Sequence, residues 1–372
     1  MTVSAFFDRC LRIFGACSAT VCFLWILCVY STQYHGRGNL RDVEPSHDSI
    51  LITGARSGIG RHAALTMNQR GFTVFAGVRR EGDGNELLKN AAYPEKMVIV
   101  QLDVTKQEDI RSAVGIIEDN VGEKGLTALF HNAGLVPSIP KNVPRHEKSL
   151  SVEVTPLETF RDVMEVEYFG AIAVTKAFLG LLERHASYHN GTNTARIVFN
   201  SDAKMPTPYG GHTFGPLFAT YAMASSLRWE LLQKGTGVDV IDMQPGAIQT
   251  KSLLAWLNAA DSTEFSDKYA PMEKEMMEAL AELGVTECVS PQATSDALLD
   301  AVLSSKPHKN YYPGPFAYVG YIFGHCFPDV WLEHFMMNWR STGKIHDPEW
   351  KIKARNKLQQ EFLPMEKASK EL

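Results

Sequence analysis

The run TGARSGIG (residues 53–60) sets Gly54, Gly58 and Gly60 between a strand-like SILIT and a helix-like IGRHAALTMNQRG. Glycines at such a junction let the backbone turn tightly and approach a pyrophosphate. The helix N-terminus then holds that group through free N–H groups and its dipole. Spacing alone would be a weak signal; a strand before and a helix after make it a strong one. Arg56, Ser57 and Ile59 of the same turn complete the expected phosphate-binding set. The next strand, FTVFAGV, runs into Arg79 and Arg80, where an NAD site would place an acidic side chain for the ribose 2′-OH. A cation there suits a 2′-phosphate, so NADP(H) is favoured over NAD(H), with Arg79 as the discriminating residue. Proton chemistry has fewer candidates. YGGHTFGPLFATY (209–221) offers Tyr209 and His212, with reference pKa values of about 10 and 6.5. Tyr221 reads as a core residue.

These residues need a scaffold, and the chain supplies alternating units. Short β-branched runs (SILIT, FTVFAGV, MVIVQLDV, LTALFHNAG, ARIVFNS, VDVIDMQPG) alternate with helical patterns, one near 107–120 and another over 155–185. That alternation means βαβ units and a parallel sheet. The expected fold is α/β: a Rossmann-like doubly wound parallel sheet with an N-terminal transmembrane anchor and an aromatic-rich C-terminal cap.

With these pieces the chain resembles the short-chain dehydrogenase/reductase family over roughly residues 48–315. LDV puts Asp103 and Val104 where the family contacts the adenine ring. HNAG puts Asn132, Ala133 and Gly134 at its central-strand turn, with His131 in place of the commoner asparagine. PGAIQT supplies Pro245, Gly246, Ile248 and Thr250, which in the family line the nicotinamide and its carboxamide. SPQATSDALLDAVLSSKPHKNYYPG and the aromatic segment after it look like the membrane-associated retinol, hydroxysteroid and hydroxybutyrate dehydrogenase branch. The resemblance implies hydride transfer between the nicotinamide and a carbinol carbon. In the family a tyrosine moves the hydroxyl proton, a lysine one helical turn later binds the ribose and lowers the tyrosine pKa, a serine binds the substrate oxygen, and an asparagine holds a relay water.

Those positions depart from the family. With SSLRWELL matched to the end of the family's catalytic helix, Thr213 falls at the tyrosine position and Leu217 at the lysine position. No tyrosine in the chain has a lysine four residues on. Glu167, in VMEVEYFG, stands at the asparagine position. In IVFNSDAK, Ser201 and Asp202 fall on the family's serine pair, and a one-residue shift restores Ser201 to the working role. A carboxylate at 202 or 167 would need a partner, and Lys204 is at hand for one of them. Gly215-Pro216 predicts that the helix starts at Pro216 and leaves 209–215 as a loop, because proline is at home in a first turn. No catalytic set is complete; Ser201, Tyr209 and His212 are the residual candidates, and His212 reads first as an exposed loop residue.

The rest of the chain sets bounds. Lys and Arg number 37 against 42 Asp and Glu, a formal charge of -5, so nucleic acid is excluded as a partner. Six cysteines, four in or beside the first apolar stretch, give neither a disulfide framework nor a metal site. From Ile13 to Gly36 there is no charged Asp, Glu, Lys or Arg, long enough for a span. The expected layout is a flank (1–12), an anchor (13–35), a linker (36–47), the nucleotide-binding domain (48–310), an aromatic cap or lipid-contacting segment (311–340) and a solvated charged tail (341–372). Expected partners are a nicotinamide nucleotide, membrane lipid, a lipophilic small molecule and a second copy of the chain; the expected place is the endoplasmic reticulum membrane. Arg9 and Arg12 oppose Arg37 and Arg41, so orientation stays open, and Asn190-Gly191-Thr192 is a glycosylation sequon that would report it. Two readings stand: a nucleotide-binding protein impaired in catalysis, and an active oxidoreductase on a lipophilic alcohol or ketone with a substitute proton carrier.

Overall fold

The computed structural model describes residues 48–135, 149–188, 194–201, 207–260, 270–314 and 341–359, with 44, 317 and 333 singly. The anchor, Asp202, Lys204, the sequon and most of the aromatic segment lie outside the described residues. Among the described residues no helix is long and apolar enough to cross a membrane.

Among the described residues seven parallel strands form one sheet: β1 Ser49–Ile52, β2 Thr73–Val78, β3 Met97–Gln101, β4 Ala128–His131, β5 Ala195–Asn200, β6 Val238–Met243 and β7 Asn310–Tyr311. The order is β3-β2-β1-β4-β5-β6-β7, so the direction of winding reverses between β1 and β4. Leu51 is in register with Phe75 on one side and Leu129 on the other. Helices α1 Gly58–Gln69, α2 Asn85–Asn90, α3 Gln107–Val121, α4 Leu157–Met164, α5 Gly170–Tyr188, α6 Gly211–Lys234, α7 Lys251–Ala260, α8 Ala270–Glu287, α9 Gln292–Leu303 and α10 Pro348–Gln359 follow in order, with a π-helical turn at Glu165–Phe169 between α4 and α5.

Strand period decides the layers. Ile50 and Ile52 point into a core closed by α1 and α9, through Ala63, Met67, Leu298 and Val302. Leu51 points the other way, into a core closed by α3, α5 and α6 through Ile110, Phe178 and Ala224. Strands buried on both faces are why these runs read as continuously apolar.

Two expectations fail here. Helix α6 begins at Gly211, with Gly210 as its N-cap, and carries Pro216 inside it. Thr213 and Phe214 both donate their amides to the Gly210 carbonyl, which starts the helix a turn earlier than the proline predicts. The proline removes one donor and the helix continues, held by burial of Pro216, Thr220 and Ala224. The C-terminal residues also do more than solvate. Ile345, Ala354 and Leu358 are buried against Leu257, Met277 and Val285, so α10 and the turn before it dock on α7 and α8. Glu282 of α8 ties that turn down, accepting from Ser341 Oγ (2.8 Å), Thr342 N (2.6 Å), Thr342 Oγ1 (2.8 Å) and Ile345 N (2.8 Å).

Candidate functional site

A cavity of about 1110 Å³ opens at the carboxyl ends of the strands, across the point where the order reverses. Open α/β sheets bind ligands in that crevice. Gly54 makes the turn after β1 at φ 68°, and a Cβ there would lie 2.8 Å from Ala133 Cα. Gly58 opens α1 at φ 58°, with Ser57 as its N-cap. The first turn of α1 carries no acidic residue, leaving its N–H groups and dipole to an anion. Arg56, Ser57, Gly58 and Ile59 all line the cavity. Gly60 does not: a Cβ there would run into Asn132 Nδ2 and the Gly54 carbonyl, so this glycine allows the turn to pack closely on the strand beside it.

The loop after β4 is locked to that turn. Thr53 Oγ1 accepts from the amides of Asn132 and Ala133, both at 2.9 Å, and Asn132 Nδ2 donates to the Thr53 and Gly54 carbonyls at 3.1 and 3.3 Å. Asn132, Ala133 and Gly134 therefore form the middle of the cavity wall. Arg79, exposed at the end of β2, and Asp103 and Val104, beyond β3, line the end next to the glycine turn. Arg56 is paired there with Asp83 at 3.3 Å. Pro245, Gly246, Ile248 and Thr250 close the cavity from the β6 side, and Thr250 Cγ2 lies 3.5 Å from the Cβ position of Gly58. The cradle, the unopposed helix end and the cations Arg56, Arg79 and Lys251 fit a dinucleotide phosphate group.

The far end is chemically poorer. Thr213 and Leu217 both line the cavity, one turn apart on α6, beside Phe214. Ser201 lines it too, but its hydroxyl is spent on Asp242 Oδ1 at 2.7 Å, deep below the surface. Asp242 also accepts from Gln244 Nε2. Tyr209 stands off the cavity wall, in the left-handed region at φ 63°, and packs against α8. Burial, with the nearby Glu273 carboxylate, pushes its phenol up and makes it a weaker acid. His212 is buried, not exposed: its ring meets Phe160 edge-on at 6.1 Å, away from the cavity, and burial pushes its pKa down. Tyr221 is half-buried and lies off the wall.

Glu167 faces the cavity from the π-helical turn, its Oε1 accepting from the Leu135 amide at 3.2 Å. Thr220 of α6 donates to the Glu167 carbonyl at 2.9 Å, fixing the turn against that helix. Such turns gather at functional sites. His131 stacks on Phe199 at 4.6 Å and pairs with Thr175 Oγ1 at 2.8 Å; burial lowers its pKa to about 3, so the ring is neutral. The sequence reading did not single out Lys251, Asp162 and Glu165, all on the wall. Lys251 follows Thr250 directly, and the acidic pair precedes Glu167 on one helical face, so adjacency was the available signal.

A family model for short chain dehydrogenases matches residues 48–259, over half of the chain. The chain belongs to the short chain dehydrogenase family. Within that family, estradiol 17-beta-dehydrogenase 2 of Mus musculus is 28% identical over 324 residues, spanning 82% of this chain and 79% of its own. The 11-beta-hydroxysteroid dehydrogenase type 2 of Oryctolagus cuniculus is 29% identical over 305 residues, 78% and 70% of the two chains. These relatives place the chain in the steroid-dehydrogenase-like branch. Among solved structures, a short chain dehydrogenase from Burkholderia cenocepacia in complex with NADP overlays with TM-score 0.55 at 22% identity, covering 80% of this chain and all of that one. A 7 alpha-hydroxysteroid dehydrogenase complexed with NADH overlays with TM-score 0.54 at 17% identity, covering 72% and 94%. One of these neighbours thus holds NADP and the other NADH.

Proposed function

We propose that this chain is a membrane-anchored member of the family that binds NADP(H) and is impaired in hydride transfer, acting through the nucleotide it holds, as a sensor or scaffold. One observation carries the reading: the two cavity-facing positions one turn apart on α6 are Thr213 and Leu217. A threonine hydroxyl is far too weak an acid near neutral pH, and leucine has no charge to lend. Loss of general acid–base help alone costs roughly 10²–10⁴-fold in rate. The position of Tyr209 and His212 off the wall supports the same reading, as does the engagement of Ser201 with Asp242.

Arg79 on the cavity rim and Arg56 beside it support a 2′-phosphate, hence NADP(H) over NAD(H). The apolar wall of Phe214, Leu217, Leu253, Leu280 and Leu283 supports a lipophilic ligand, and relatives named for steroids support one of that size. The anchor rests on the charge-free run of residues 13–36, and the endoplasmic reticulum on the relatives' branch. Exposed Trp229 and Leu232 on α6 support a homo-oligomer.

The test is a titration of the full chain in detergent with NADPH, followed by absorbance at the nicotinamide band with retinoid, steroid and 3-hydroxybutyrate panels. Saturable binding without turnover is the expected result. The second reading, an active oxidoreductase on a lipophilic alcohol or ketone, draws on the dehydrogenase relatives; turnover abolished in Tyr209→Phe or His212→Ala would establish it and end the first.

A further inference from the structure

Helices α7 and α8 supply part of the cavity wall, yet among the described residues neither contributes to the core on either face of the sheet. The stretch that carries them leaves and rejoins the body at one neck. Ile248 and Val289 pair there in parallel, Gln249 donates its amide to the Val289 carbonyl (2.9 Å), and Val289 donates to the Ala247 carbonyl (3.1 Å). Helix α8 is a wall with two sides. Leu280, Leu283 and Gly284 line the cavity. Met277, Ala281 and Val285, an i, i+4 row, are instead buried with Ile345, Ala354 and Leu358 of the C-terminal segment. Gly284 lets α7 close on α8, since a Cβ there would lie 2.8 Å from Cδ1 of Leu253, also on the wall. The two ends of α8 are fastened differently. In its first turn the buried Glu273 accepts from Ser149 Oγ (2.7 Å) and the Leu150 amide (2.6 Å), which ties that end to the loop before α4. The other end is held from behind. Lys357 of α10 donates Nζ to the Val285 carbonyl at 2.8 Å, and Gln249, between the lining residues Ile248 and Thr250, donates Nε2 to the Lys357 carbonyl. No described residue of 341–359 lines the cavity itself.

We propose that the C-terminal segment 341–359 sets the affinity for an apolar ligand from behind the wall, its docking and the occupancy of the cavity being coupled through α8. This rests on the lipophilic-ligand reading above. A flat apolar ligand against Leu253, Leu280 and Leu283 is held by close contacts, and a gap of about 0.5–1 Å forfeits roughly a quarter to a half of each one's attraction. A wall already backed by Ile345, Ala354 and Leu358 spares the ligand the cost of ordering it. The coupling is reciprocal: whatever factor docking adds to the ligand's affinity, the ligand adds to docking. The nucleotide cradle stands on other elements, the turns after β1 and β4, and is outside this coupling.

The experiment follows amide exchange by mass spectrometry in the full chain, alone, with NADPH, and with NADPH plus 1-aminoanthracene, a flat apolar amine. Equilibrium dialysis gives the affinities for probe and nucleotide. The probe should slow exchange across 348–359 about tenfold, the scale of ordinary coupling between two sites, although none of those residues lines the cavity. Leu358→Glu, which puts a charge into the buried contact, should weaken the probe about tenfold and leave NADPH affinity unchanged. Leu358→Met, which keeps the contact apolar, should retain the wild-type values. Unchanged exchange over 348–359 with the probe bound overturns the proposal, as does undiminished probe binding by Leu358→Glu. Loss of NADPH along with the probe in that variant also overturns it, because the segment would then hold the whole cavity and not one wall. A wild type that binds NADPH but not the probe removes the lipophilic-ligand reading and this inference with it, whereas probe binding without the coupling removes only the inference.

Discussion

At the residue scale the glycines separate by what surrounds them. Gly60 has no room for a side chain, because Asn132 Nδ2 and the Gly54 carbonyl already fill the place. Gly60→Ala should lower stability by about 1–3 kcal/mol, the usual range for overpacking, and weaken nucleotide binding by displacing the turn. Gly115, inside α3 with nothing within 4 Å of its Cβ position, should behave oppositely. Gly115→Ala should raise stability by roughly 0.5–1 kcal/mol through lost unfolded-chain entropy. Denaturation midpoints of the two variants check both signs. The three glycines were legible as a turn in the sequence. That two line the cavity and one faces a side chain was not, since Asn132 is 72 residues away and meets Gly60 only when β1 and β4 pair.

At the element scale α6 changes what the missing catalytic pair means. Its backbone is helical from Gly211, so Thr213 and Leu217 already stand one turn apart on the cavity side. Thr213→Tyr with Leu217→Lys should therefore raise hydride transfer at least ~100-fold over the wild-type background, within the range that acid–base help supplies. An unchanged rate in a folded, nucleotide-binding double variant would place the block elsewhere, with the Ser201 hydroxyl held by Asp242 as the next constraint. Helix α8 makes a different prediction. Burial pushes the Glu282 carboxyl up, but the amides of Ile345 and Thr342 and the hydroxyls of Ser341 and Thr342 outweigh it and hold the group below its ordinary range. The clamp's pH-dependent contribution is thus present above about pH 4.5 and lost on acidification below it. Glu282→Ala should cost about 1–3 kcal/mol and speed amide exchange over 341–345, read by hydrogen exchange and mass spectrometry.

At the scale of the whole molecule, acid sensitivity comes from histidines kept neutral. Burial lowers the pKa of His62, His131 and His212, to about 3 for His131. The unfolded chain takes up protons near pH 6.5 while the folded chain refuses them, so stability falls as pH drops from about 6.5 toward 3. For one fully buried histidine the slope approaches ~1.4 kcal/mol per pH unit. Thermal unfolding from pH 7.5 to 4.5 should show that decline, and His131→Asn should flatten part of it.

The sequence by itself determined the layers and which residues line one end of the cavity. Strand runs buried on both faces, the glycine turn and the residues at strand ends are local patterns, and each is written within a few positions of the next. The state of the catalytic end was decided by tertiary contacts. Whether Pro216 starts α6 or sits inside it depends on the burial of that helix against β5 and β6 and on the Gly210 carbonyl that accepts the first amides. Whether Ser201 is free depends on Asp242, 41 residues on and brought beside it by the pairing of β5 with β6. The docking of the charged C-terminal helix follows the same rule: Ile345, Ala354 and Leu358 look isolated along the chain and become a core only when α7 and α8 present Leu257 and Met277 to them. Contacts between residues far apart in sequence carry no local signature, and only the folded chain reveals which polar and apolar groups they engage.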